Sequence, residues 1–188
     1  MSAVCYLCHN ETGEITSVIR GDSEHMGEPT GSFIKYTGTE EVSTKWYIKD
    51  GVAKEKGEQP SKSHTFNVTS ESWELDLSDA KSRAWDRIKL SRQGDEFGTF
   101  TWSGNEFQCD QISQARLRGA VLRAQIDTSI SVDWMLADNT SKTFNADDFN
   151  NIGKALEEHV NACHVKAQGL RIQINGASTQ ADLDAIKW

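Results

Sequence analysis

Two short runs in this sequence carry side chains that could bind a metal or attack a substrate. Cys5, Cys8 and His9 stand in a C-x-x-C-H pattern, the spacing of covalent haem attachment and half the ligand set of a structural zinc site. Haem attachment follows export, and the N-terminus MSAVCYLCHNETGE lacks the basic and long apolar regions of a secretory signal. The run is also β-prone, and on a strand a three-residue spacing turns the two thiols to opposite faces. Zinc would need a second ligand pair, so two small residues packed in a strand are the expectation. In the second run His159 and Cys163 are one helical turn apart, with His164 beside them. Soft ligands at that spacing share a helix face, but no third ligand is near, and Cys163 falls on an apolar stripe.

No G-x-S-x-G, phosphate-binding loop, Gly-rich dinucleotide loop or H-E-x-x-H occurs in the sequence. The adjacent pairs Asp147-Asp148 and Glu157-Glu158 read as solvated helix faces. We therefore expect no catalytic residue, no cofactor and no resident metal. The remaining candidates are residues that pack or dock. Six tryptophans, Trp46, Trp73, Trp85, Trp102, Trp134 and Trp188, are many for 188 residues, and such side chains anchor cores and interfaces alike. Trp188 is the oddest, because a terminal residue frays unless something holds it.

The elements that must position these residues change character at Ser78. Before it, short β-prone pieces alternate with turns: Val4–Cys8, Ile15–Ile19, Phe33–Tyr36, Thr44–Ile48, Val52–Lys54, His64–Val68 and Ser72–Leu75. After it, a helix is expected over 79–93 with Ala84, Trp85 and Ile88 on one face. A hairpin turns at Ser103-Gly104-Asn105, where Gly and Asn accept positive φ cheaply. Asp110 then caps a helix over 111–126. Its positions Ile112, Ala115, Gly119, Leu122 and Ile126 recur in steps of three and four, which predicts a packed seam with close backbone approach at the small residues. A second hairpin spans Ile130 to Phe144. Asn145 caps a long helix with Asp147 and Asp148 in its first turn and an apolar stripe through Phe149, Ile152, Leu156, Val160, Cys163, Ala167, Leu170 and Ile174. Gly176 stops it. Thr179 with Asp182 opens a last short helix reaching Trp188.

The expected fold class is therefore α+β. A β-rich module occupies residues 1–77, and a mainly helical module with two short hairpins occupies 78–188. Docking or packing roles fall to Trp85, Trp102, Trp134, Ile112, Gly119, Leu122, Phe149, Leu156, Leu170 and Trp188.

The net charge of −8 argues against nucleic acid as the main partner, since phosphate binding needs a basic footprint. The basic row from Lys81 to Arg92 reads as a solvated helix face. No run of roughly 20 apolar residues suggests membrane insertion. Folding in the cytoplasm and reduced cysteines are the expectation.

The run AWDRIKLSRQGDEFGTFTWSGNEFQCDQISQARLRGAV (Ala84 to Val121), VDWMLADNTSKTFNADDFNNIGKALEEHV (Val132 to Val160), HVKAQGLRIQI and the closing DLDAIKW resemble bacteriophage tail proteins that carry a C-terminal domain of unknown function (number 4376). WYIKDGVAKEKGEQPSKSHTFN (Trp46 to Asn67) resembles the N-terminal part of tail-fibre and tail-fibre-assembly proteins, where a Y-x-x-D-G turn precedes P-S-x-x-H-x-F. Lys89 and Gln93 interrupt an arginine-rich pattern common in that family, and residues 1–43 match least. The resemblance implies a virion component of the tail, tail fibre or baseplate. Such a component would be assembled in the host cytoplasm, contact other tail proteins and the host surface, and form a homo-oligomer. The alternative that it leaves open is a tail-fibre assembly chaperone not retained in the virion. A small glycan-binding module or enzyme is the third alternative, and the resemblance carries no catalytic residue to this chain.

Overall fold

A computed structural model describes residues 3–22, 25–38, 42–43 and 45–188. The expected strand start at Thr44 and the loop positions Ser23 and Glu24 lie outside the described residues. The chain divides into two compact units, Met1–Asp76 and Leu77–Trp188. The first is β-rich with small antiparallel sheets and the second combines helices with hairpins, so the fold is α+β.

In the first unit β1 (Ala3–His9) is the central strand of a three-stranded sheet, between β2 (Ile15–Asp22) and β3 (Phe33–Tyr36). Two hairpins follow, β4 (Trp46–Lys49) with β5 (Val52–Glu55) and β6 (His64–Asn67) with β7 (Ser72–Leu75). Gly13 ties the sheet to the first hairpin. Its carbonyl accepts from the Ile48 N–H at 2.7 Å, and a Cβ at Gly13 would lie 2.1 Å from the Ile48 carbonyl oxygen. Only glycine allows that approach. Leu7, Ile15, Val42 and Ile48 close one small core, and Tyr47, Phe66 and Val68 close another.

The second unit runs α1 (Leu77–Glu96), β8 (Thr99–Trp102), β9 (Asn105–Gln108), α2 (Gln111–Ile126), β10 (Ser131–Met135), β11 (Ser141–Asn145), α3 (Ala146–Gly176) and α4 (Gln180–Ala185). The two hairpins β8–β9 and β10–β11 are antiparallel. Ser103 and Gly104 take φ 48° and 73° at the first tip, which matches the right-handed strand twist. Caps set the helix starts. The Asp110 carboxylate accepts from the Ile112 and Ser113 N–H groups, and Asn145–Asp148 and Thr179–Asp182 form reciprocal capping boxes.

The long helix α3 is the spine, packed against both α1 and α2. Its 31 residues bury Phe149, Ile152, Leu156, Cys163, Ala167 and Ile174 along one stripe, with Val160 and Leu170 half-buried. Phe100, Phe107, Leu117, Phe144, Phe149 and Leu156 meet in one core. At the other end, Arg87 donates to the carbonyls of Leu183 and Ile186 at 3.0 Å, fastening α4 and the chain end beside α1. Among the described residues no helix is long and apolar enough to cross a membrane.

Candidate functional site

Cys5 and Cys8 lie on β1, opposite Arg20 and Ser17 of β2, and their spacing directs the two thiols to opposite faces. His9 turns its Nδ1 to the Asn10 carbonyl at 2.9 Å. Among the described residues no three His, Cys, Asp or Glu side chains converge as metal ligands would.

The second run meets residues far away in sequence. His159 Nε2 lies 3.0 Å from the backbone carbonyl oxygen of Asp95, and its ring stacks on Phe100. His164 Nε2 and Arg92 Nε each lie 3.4 Å from Glu96 Oε2, on a carboxylate only 12% exposed. Arg92 Nε and Glu96 Oε2 are both buried and make no hydrogen bond among the described residues, so a loosely fitted ion pair is left in the α1–α3 contact. Between the histidines, Cys163 is buried, and burial first, then Asp95 and Glu96, push its thiol above the usual range. A thiol held protonated is a poor nucleophile and a poor metal ligand, so this cluster works as a polar helix contact. Nothing in the sequence pairs residues 95 and 96 with 159 and 164; that juxtaposition follows from α1 lying along α3.

The tryptophans take packing positions. Trp102 meets Phe144 edge-on at 6.1 Å, and Trp134 meets Phe149 at 5.7 Å. Trp85 lies under the Arg171 guanidinium at 4.9 Å. Trp188 is held twice, by Lys166 over its ring at 4.3 Å and by an indole N–H donated to the Asp95 carboxylate.

The seam expected on α2 requires correction. Ile112, Leu122 and Ile126 are 63%, 60% and 80% exposed, and a Cβ on Gly119 would meet open space. The buried side is Ser113, Gln114, Leu117 and Ala124. At about 100° per residue the two arcs are centred on opposite sides of the helix. The inward arc hides two polar residues, one of them Gln114, whose amide donates to the Cys109 carbonyl at 3.0 Å. The bulkier arc faces solvent. Close backbone approach occurs instead at Gly153 of α3, where a Cβ would lie 2.7 Å from Val121 Cγ2. Beside that contact a groove of about 890 Å³ runs between the helices, lined by Arg118, Val121 and Leu122 of α2 and by Asn150, Lys154 and Glu157 of α3. This outward face and its groove form the candidate docking site.

In the first unit the motif residues are structural. Asp50 and Gly51 make the positive-φ turn of β4–β5, at 52° and 74°. Ser61 Oγ lies 2.8 Å from His64 Nδ1, and Phe66 packs between Tyr47 and Trp73. Tyr47, Lys49 and Lys54 all converge on Glu71, at 2.6, 2.7 and 2.9 Å.

No curated protein and no solved structure matches this chain. The family model for a domain of unknown function (DUF4376) matches residues 79–187, more than half of the sequence, and the chain belongs to that family.

Proposed function

We propose that this chain is a structural component of a bacteriophage tail, whether tail fibre, tail tip or baseplate-associated, that docks neighbouring tail proteins and supports host adsorption. The observation carrying the docking role is the outward face of α2, where three large apolar side chains stand in solvent while the opposite face closes the core. A helix apolar on both sides is normally covered on both sides. The tail setting rests on the resemblance of Trp46–Asn67 and of the helical module to tail proteins. No residue is assigned a catalytic role, and the partners are proteins.

The same exposed face would serve a tail-fibre assembly chaperone, which differs in leaving before the particle is complete. Mass spectrometry of purified particles of the encoding phage separates the two. A stoichiometric amount supports the virion component; its absence from particles, with the protein abundant in the infected lysate, gives the role to the chaperone.

A further inference from the structure

We infer that the outward face of α2 seats an acidic amphipathic helix supplied by a partner protein. The inference rests on the docking reading of that face and is independent of the tail assignment. Ile112, Ala115, Gly119, Leu122 and Ile126 form a three-four repeat, with small residues at its centre and large ones at its ends. That contour suits a helix whose side chains fill the notch over Gly119, where a Cβ would meet nothing.

The charges beside the repeat select the partner. Arg116 and Arg123 border one side and Arg118 the other, all exposed, and the helix carries no carboxylate between its caps. Asp110 and Asp127, at the caps, are occupied by local hydrogen bonds to Ser113 and Ser129. Arg118 pairs with Glu157 of α3 at 3.0 Å, while Arg116 and Arg123 make no ion pair among the described residues. A second copy of α2, parallel or antiparallel, would set arginine against arginine or glutamine. Like charges across a helix pair repel, whereas carboxylates at the flanking positions of a partner would pair. A chain with net charge −8 that nevertheless leaves Arg116 and Arg123 without an ion pair, among the described residues, along one border of its exposed apolar repeat is complementary to an acidic helix.

The test uses the full chain and two three-heptad peptides, with Leu and Ile in the seam and either Glu or Lys at every flanking position. Fluorescence anisotropy should show the Glu peptide binding at least about ten-fold more tightly than the Lys peptide, with affinity falling as salt rises. Leu122→Gln should remove binding, and Arg116→Glu combined with Arg123→Glu should reverse the preference, both with unchanged thermal unfolding. Three results overturn the inference: neither peptide binds or both bind equally; light scattering shows a dimer that Leu122→Gln returns to monomer; or anionic phosphatidylserine vesicles bind the chain while the Glu peptide does not. Absence from phage particles together with selective Glu-peptide binding would refute the virion-component reading alone.

Discussion

The C-terminal Trp188 donates its indole N–H to the carboxylate of Asp95, 93 residues earlier, while Lys166 of α3 covers its ring. One side chain thus joins the end of α1, the middle of α3 and the chain terminus. Trp188→Ala should lower stability by about 1–2 kcal/mol, from the lost cation–π contact and hydrogen bond. Trp188→Phe should recover part of that loss, since it keeps the ring and removes only the donor. Urea unfolding of the three proteins checks this, and equal midpoints would mean that the terminus is not held.

In the first unit, the Glu71 carboxylate, in the turn between β6 and β7, ties that hairpin to β4 and β5. Lys49, Tyr47 and Lys54 hold its pKa down to about 2 from 4.5, and its backbone takes φ 53°. A depressed carboxylate contributes stability above its unfolded pKa and loses it as pH falls through the folded value. The stability difference between wild type and Glu71→Gln should therefore be constant near neutral pH and shrink as pH falls from about 5 towards 2. The difference in urea midpoint across that range is the measurement, and a difference independent of pH would rule out this hub.

How far the sequence exposes the fold depends on whether one pattern has one reading. On α3, large residues at helical spacing (Phe149, Ile152, Leu156) have a single apolar arc to form, and they are buried. The capping residues Asp110, Asn145 and Thr179 act through neighbours two or three residues on, so local sequence suffices for them. On α2 two arcs compete. Hydrophobicity alone chooses Ile112, Leu122 and Ile126 over an inward arc that includes Ser113 and Gln114. The polar pair becomes cheap to bury because Asp110 and the Cys109 carbonyl bond it, local contacts that a count of apolar residues does not weigh. The His159–Asp95 and His164–Glu96 contacts are beyond local reading because their partners lie far apart in sequence.

The two arcs of α2 give opposite mutational outcomes. Leu117→Ala, at a fully buried position, should cost about 2–5 kcal/mol. Leu122→Ala, on the exposed side, should change stability by no more than about 0.5 kcal/mol. Thermal or urea unfolding of the isolated protein compares them directly. A large loss at Leu122 without a partner would show that its face is covered within the chain.

Glycines on the helices divide in the same way. Gly119 and Gly169 have open space where a Cβ would stand, so alanine at either should stabilise by about 0.5–1 kcal/mol through helix propensity. Gly153 is pressed against Val121, a stiff β-branched side chain, and Gly153→Leu should overpack the α2–α3 contact at a cost of about 1–3 kcal/mol. Unfolding midpoints of the three variants should move up, up and down. A stabilised Gly153→Leu would place the close approach elsewhere.

Thiol reactivity reads the same packing without mutation. Cys109 and Cys163 are buried, and desolvation raises both thiols above their usual range, with Asp95 and Glu96 adding to the effect at Cys163. Cys5 and Cys8 are only half-buried on β1. Because alkylation proceeds through the thiolate at a reachable sulfur, iodoacetamide at mildly alkaline pH should label Cys5 and Cys8 first. Cys109 and Cys163 should follow only as the second unit opens, and their labelling should accelerate together in sub-denaturing urea. Peptide mass spectrometry over time resolves the four sites. Early labelling of Cys163 in native buffer would contradict its burial between α1 and α3, and with it the reading of the His159–Cys163–His164 run as a helix contact.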